Sequence, residues 1–275
     1  MRKIVLSSLA ILALCLLGQV IAAEQTLQIV GSTTVGPIAD AFKAALESSD
    51  PSVKISVSKV GSGTGAKALV ESSCDIATMS RFMKPQEFKD AVARDVFPVA
   101  HVVAMDGVCV VLHPSNPVKE LTNEQVRKIY KGQITNWNQV GGIDMPIIAI
   151  SRDTESGTYE TFNKFLMKKE KMAGSVEKVN SNPQAHARVS STKGAIGYVG
   201  FGFLDSKVKA LKIDGVMPTR DTILNGKYIA SRPLYMFTDG FPELGSLTHK
   251  FVTFHLTEQG QEIVEGQGFV PVTNY

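Results

Sequence analysis

From residue 26 onward, short apolar runs alternate with stretches of helical periodicity, and this alternation restricts the chain to a sheet covered by helices. Residues 26–30 and 53–57 read as strands, the second with strict apolar–polar alternation. Between them, residues 35–46 carry Ile38, Ala41, Phe42 and Ala45 at helical spacing. Helices are predicted over 66–73 and 85–93, the latter with Pro85 in its first turn, and strands over 75–79, 97–104 and 108–112. The β-α-β-α-β order predicts a mostly parallel sheet. The second half repeats the pattern, with helices over 122–130, 158–167, 183–191, 247–256 and 258–265. Strands are predicted over 145–150, 195–199 and 233–237, and residues 269–272 close the chain. Residues 205–231 are polar and interrupted by Gly and Pro, and no defined element is predicted there. Two α/β lobes suit this layout better than one sheet. The chain would cross between them near Met105–Asp106 and again near Arg232–Pro233. That makes residues 24–104 plus 232–275 the first lobe and 105–231 the second.

The N-terminus has the parts of an export signal. Arg2 and Lys3 precede an apolar run over 4–17 broken only by Ser7 and Ser8, and Ala22–Ala23 offer a cleavage site. The run is shorter than the roughly 20 residues of a membrane span. A cleaved leader over 1–23 and a periplasmic protein are therefore expected. A lipid anchor at Cys15 is not, because Leu14 stands where a small residue is needed. The whole chain has 29 basic against 26 acidic residues, a net of +3, and the leader's two basic residues reduce this to +1. So small an excess predicts no nucleic-acid partner. Cys74 and Cys109 adjoin apolar segments and are expected as free thiols; without a nearby His they make no metal site.

Function is written at three strand-to-helix junctions of shared composition. Residues 31–36 read Gly-Ser-Thr-Thr-Val-Gly, 61–65 read Gly-Ser-Gly-Thr-Gly, and 152–158 read Arg-Asp-Thr-Glu-Ser-Gly-Thr. The first N–H groups of a helix lack intrahelical partners, Gly lets a ligand approach the backbone, and Ser or Thr adds a hydroxyl. One such turn alone is ordinary capping. Three in one α/β chain, one of them led by Arg152, form an oxyanion cradle at the carboxyl ends of the strands. A fourth strand ends in Ser80-Arg81, adding a hydroxyl and a guanidinium. The enzyme motifs that residues 61–67 approach all fail. Ala66 and Ala68 break a P-loop, Gly63 replaces a nucleophile-elbow Ser, and Ala66 replaces the third Gly of a dinucleotide fingerprint.

In these segments the chain resembles the periplasmic phosphate-binding proteins of phosphate ABC transporters, in their shorter form. The likeness continues through Ile134-Thr135-Asn136-Trp137, Gly194 to Tyr198 and Gly268 to Val272. It implies a two-lobed type II periplasmic binding protein fold with two hinge crossings, closing on a dehydrated phosphate. It implies contacts from Thr34, the N–H of Val35, Ser62, Arg152, Ser156, Gly157 and Thr158; Thr33, Ser80 and Arg81 complete the candidate set. Longer members carry an Asp where this chain has Ser80, a carboxylate that accepts the proton of hydrogen phosphate and repels sulfate. The implied partners are inorganic phosphate and, transiently, a membrane-embedded ABC permease, with the protein a monomer and no cofactor or metal.

Charge arithmetic supports an oxyanion independently. Three helix starts contribute about +0.5 each, and Arg81 and Arg152 a full charge each. A phosphate group near neutral pH carries about −1.5 to −2. The alternatives are a secreted phosphatase-type hydrolase and a sensor or binding protein for another tetrahedral oxyanion such as sulfate. A hydrolase would need a nucleophile, a base and usually a metal. His101, His113, His186, His249 and His255 lie in no metal-ligand spacing and in no hydroxyl motif, so no enzyme activity is expected.

Overall fold

The structure, a computed structural model, describes residues 25–273; the leader and Cys15 lie outside the described residues. The first half builds as its periodicity dictates. Strands β1 (Gln25–Gly31), β2 (Val53–Lys59) and β3 (Ile76–Met79) alternate with helices α1 (Gly36–Ser49), α2 (Ser62–Val70) and α3 (Pro85–Val92). β1 pairs in parallel with β2 on one side and β3 on the other. α1 buries Ile38, Ala39 and Phe42 against this sheet. Gly31 ends β1 at φ +143°, where a Cβ would stand 2.1 Å from the carbonyl oxygen of Thr78; no other residue fits this turn.

The parallel expectation fails at the middle of the molecule. The two apolar runs expected over 97–104 and 108–112 are one 15-residue strand, β4 (Pro98–Leu112). Its first part pairs antiparallel with β11 (Ser231–Asp239), which is itself antiparallel to β3. Its last part pairs antiparallel with β8 (Ala195–Gly200). Beyond β8 the order is parallel again, through β6 (Ile148–Arg152) and β7 (Glu177–Val179). Hydrogen-bonded strands therefore run in the order β2-β1-β3-β11-β4-β8-β6-β7, because β4 is long enough to serve both lobes.

β4 passes from one group of hydrophobic clusters to the other. Val103 and Ala104 pack with Leu27, Ile29, Phe42, Leu234 and Phe251, whereas Val108, Val110 and Leu112 pack with Tyr130, Trp137, Phe162 and Tyr198. Between them, Asp106 lies opposite Arg232 in the β4–β11 register, so the two crossings are neighbouring strands. Val270 bridges to Met105 at the same level. Helices α4 (Asn123–Tyr130), α5 (Gly157–Phe165) and α6 (Asn182–Ser190) belong to the second lobe; α8 (Leu247–Thr253) and α9 (Glu258–Gly266) return to the first. Residues 205–231, for which no element is predicted, hold β9 (Lys209–Ala210), β10 (Lys212–Ile213), which pairs in parallel with the two-residue β5 (Glu120–Leu121), and the single-turn α7 (Arg220–Leu224). Pieces this short carry too little periodicity to be seen in sequence. Cys74 and Cys109 are free thiols, the first half-buried and the second fully buried.

Phe42 is fully buried and meets Phe251 and Phe254 edge-on, at ring-centroid distances of 5.9 and 5.0 Å. Phe42→Ala is expected to lower unfolding free energy by about 3–5 kcal/mol. Phe241→Ala, at an 84% exposed position, should change it by no more than about 0.5 kcal/mol. Urea unfolding of the two variants measures the contrast.

Candidate anion-binding site

The three hydroxyl-rich turns converge where the lobes meet. Ser32 anchors the first: its hydroxyl accepts from the N–H groups of Thr34 at 3.0 Å and Val35 at 3.3 Å, just before α1 opens. The second turn places Ser62 at the first position of α2, with its Oγ accepting from the N–H of Ser80 at 3.0 Å. Ser80 Oγ lies 3.3 Å from Ser62 Oγ. These residues belong to the first lobe.

The third turn is held from beneath by aromatic rings. Phe162 stacks on Tyr198 at a centroid distance of 3.9 Å, and Tyr130 tilts against both. Tyr198 Oη accepts from the N–H of Arg152 at 3.0 Å and bonds Ser151 Oγ at 2.8 Å. Tyr130 Oη donates to the carbonyl of Ile150 at 2.9 Å. This fixes the end of β6, from which Arg152 and then Ser156 project. Ser156 Oγ accepts from the N–H of Tyr159 at 3.2 Å and so caps α5, leaving the N–H groups of Gly157 and Thr158 at the open start of the helix.

Contacts between the lobes are short. Thr34 Oγ1 lies 3.0 Å from Thr158 Oγ1, and the N–H of Gly63 donates to the carbonyl of Glu155 at 3.0 Å. Gly157 faces the first lobe so closely that a Cβ there would lie 2.6 Å from Ser80 Oγ and 2.7 Å from Ser62 Oγ. Thr33, Thr34, Val35, Ser62, Ser80, Arg152, Ser156, Gly157 and Thr158 are thus buried around one small polar region.

Arg152 is 2% exposed. Its Nη2 donates to the carbonyl of Asn180 at 2.9 Å and to Thr33 Oγ1 at 3.3 Å, while Nε and Nη1 are buried without any hydrogen-bond partner. Among the described residues no carboxylate lies within ion-pair distance of it. Burial pushes its pKa down to about 10, which still leaves a cation at neutral pH. A buried cation with unspent donors is costly unless something anionic meets it.

Arg81 departs from expectation. Its guanidinium does not reach toward Arg152 but forms a fork with Glu87, Nη1 to Oε2 at 2.8 Å and Nη2 to Oε1 at 2.7 Å, and its Nε lies 3.1 Å from Glu160 Oε2. Two carboxylates neutralise it, so its charge does not add to the site as expected.

A third arginine, Arg232, lies at the crossing, likewise paired with a carboxylate; it, Asp106 and Asn182 are not among the residues that the sequence marks for the site. Arg232 Nε and Nη2 donate to Asp106 Oδ2 at 2.9 and 2.7 Å. The same guanidinium donates to the carbonyl of Ser80 at 3.0 Å and to Thr158 Oγ1 at 3.0 Å, binding both lobes at the crossing. Asp106 also accepts from the N–H of Phe201 at 2.7 Å. Burial pushes the Asp106 carboxyl upward, with Arg232 opposing that shift. A lone acid inside one apolar strand and a lone base inside another were the available signal. Asn182 Nδ2 donates to Thr34 Oγ1 at 2.9 Å and to Thr33 Oγ1 at 3.3 Å, and its Oδ1 accepts from the N–H of Gly200. Nothing in its local sequence marks it.

Four of the five histidines bond elsewhere: His101 to Thr238, His113 to Ser115, His186 to Asp205 and His255 to the carbonyl of Val252. Among the described residues no cluster of three or more His, Cys, Asp or Glu is placed to hold a metal.

Two lobes, two adjacent crossings and an oxyanion-type cradle between them define a substrate-binding protein. A family model described as a PBP superfamily domain matches residues 19–259. The Bacillus subtilis phosphate-binding protein PstS is 33% identical over 254 residues, 92% of this chain and 82% of that protein. The PstS of Borreliella burgdorferi is 31% identical over 90% of this chain and 91% of its own. A Clostridium perfringens protein crystallised with bound phosphate superposes with a TM-score of 0.83 at 34% identity, covering 90% of this chain and all of that one. An ABC-type phosphate transport receptor from Vibrio cholerae gives 0.73 at 32%, over 89% and 99%. The chain belongs to the PBP superfamily and, within it, to the family of the PstS proteins.

Arg152 and Arg232 should respond differently to removal. Arg152→Met should leave the stability of the protein in phosphate-free buffer unchanged or raise it by up to about 1–2 kcal/mol, because the cleft opens without an anion and any burial Arg152 keeps there is burial of a cation without a counter-ion. Arg232→Met should lower it by about 3–5 kcal/mol, because Asp106 is left buried and unpaired. Denaturant unfolding of both variants in phosphate-free buffer checks the signs. Gly157→Ala should weaken anion binding at least tenfold without loss of fold, since its methyl group would hold the lobes apart. Titration calorimetry with circular dichroism measures both.

Proposed function

We propose that this chain is an exported substrate-binding protein that captures inorganic phosphate between its lobes and delivers it to an ABC permease. The observation that carries this reading is Arg152, buried with Nε and Nη1 free of partners and with Nη2 against Thr33 Oγ1, in the hydroxyl cluster that Asn182 and Thr34 continue to Thr158 at the opening of α5. The site then works by geometry. Thr33, Thr34, the N–H of Val35, Ser62 and Ser80 present donors from one side. Arg152, Ser156 and the N–H groups of Gly157 and Thr158 present them from the other. Hydroxyls both donate and accept, so they suit an oxyanion that retains a proton. Arg152 supplies a forked, charge-assisted contact. Arg232 is neutralised locally by Asp106 and acts on the walls of the site by holding Thr158 and the carbonyl of Ser80. Neither lobe surrounds the anion by itself, so binding selects the closed arrangement. Closure removes water, which strengthens each contact. It also gives the permease a shape that reports occupancy. Capture needs no metal in this scheme and involves no bond-breaking step. The mature protein acts as a monomer in the periplasm.

Calorimetry on refolded protein should give one phosphate per chain, unchanged by chelator. An absolute requirement for Mg²⁺ or Ca²⁺ would contradict it, and tighter binding of sulfate would move the reading to another tetrahedral oxyanion. Arg152→Ala should weaken phosphate binding about ten- to a hundredfold, and Arg81→Ala far less. Small-angle scattering should show a smaller radius of gyration with phosphate than without. Tight binding without compaction would mean that one lobe suffices.

A further inference from the structure

Beside the anion site a second set of charges joins the lobes without touching it. Glu160 stands on α5 of the second lobe, one turn beyond Gly157. Its Oε1 lies 2.6 Å from Lys84 Nζ and its Oε2 lies 3.1 Å from Arg81 Nε, both of the first lobe. Arg81 is in turn clamped by Glu87, whose Oε2 also accepts from the backbone N–H of Lys84 at 2.8 Å. The Arg81 guanidinium is thus fixed by its own lobe, which also fixes the backbone of Lys84, whereas the Lys84 ammonium meets only Glu160 of the other. The Arg81 side chain is 7% exposed and that of Glu160 24%, so this pair is more sheltered than an ordinary surface pair, while Lys84 stays half exposed at its rim.

Within the capture of phosphate proposed above, we infer that Glu160 is an electrostatic latch: a positioning residue that holds the lobes closed through Arg81 and Lys84. It gives a use to a buried arginine at the end of β3 whose guanidinium is taken up by Glu87 and Glu160. The network forms only when the lobes approach, because Arg81 keeps Glu87 but both Arg81 and the Lys84 ammonium lose Glu160 once α5 withdraws. Closure is therefore favoured by contacts to the anion and by contacts between protein groups. The second set makes a closed cleft harder to reopen.

The sign of the effect separates this role from a mere field effect. Glu160 is a negative charge near an anion site, so deleting it should tighten binding if it acts only through its field. As a latch its loss should loosen binding. Glu160→Gln is expected to weaken phosphate affinity about three- to tenfold, mainly through faster dissociation, with the difference from wild type shrinking as salt is raised. Lys84→Met should weaken affinity in the wild-type background and add nothing in Glu160→Gln; two independent field effects would simply add. Hydrogen exchange at the Gly63 amide, which bonds across the lobes to Glu155, should be faster in Glu160→Gln and reports opening whatever the ligand. Unchanged or tighter phosphate binding in Glu160→Gln, or unchanged Gly63 exchange, overturns the latch. Failure of the wild-type chain to bind phosphate overturns the functional reading instead, with Gly63 exchange still deciding the latch.

Discussion

The buried ion pair of Asp106 with Arg232 is the joint on which the molecule depends. The two residues face each other in neighbouring strands at the level where the chain passes between lobes. Desolvating both charges is costly, and the cost is offset only because Arg232 also reaches Ser80 and Thr158 while Asp106 also receives the N–H of Phe201. A pair satisfied this way tolerates few alternative arrangements. It sets β3, β4, β8 and α5 relative to one another, and with them the hydroxyls they carry.

Against that settled pair, the isolation of Arg152 has meaning. Both arginines are buried close to one another, yet one has a carboxylate and the other has none. An internal carboxylate for Arg152 would have satisfied it permanently and closed the site to ligands. The fold instead keeps a cation in low-dielectric surroundings, held by the carbonyl of Asn180, with two nitrogens still able to donate. Beneath it Tyr130, Phe162 and Tyr198 fix the end of β6, from which Arg152 is presented to the cleft.

Arg81 shows how charge of the same sign is put to a different use. It follows Ser80 directly and sits at the same sheet edge, but Glu87 and Glu160 claim its guanidinium. One arginine faces the ligand, one ties the crossing strands together, and one joins the lobes. The division depends on which carboxylates lie within reach, and those carboxylates come from distant parts of the chain.

That distance separates the features readable from a few consecutive residues from those that exist only once the chain has folded. The α/β alternation, the first-half elements and the three hydroxyl-rich turns were legible locally, because periodicity and helix-start chemistry are properties of a few consecutive residues. The ordered turns were also enough to point to the family, and the fold brings residues of all three together, among them Thr34, Ser62, Gly157 and Thr158. The antiparallel centre was not legible, since the direction of pairing depends on where β11 returns, with Arg232 126 positions after Asp106. The roles of Arg232, Asp106 and Asn182 were hidden for the same reason: each is defined by partners far away in sequence. The partners of Arg81 were hidden because a strand-end arginine looks the same whether it meets an anion or a glutamate, and only the tertiary structure brings Glu87 of α3 and Glu160 of α5 to it.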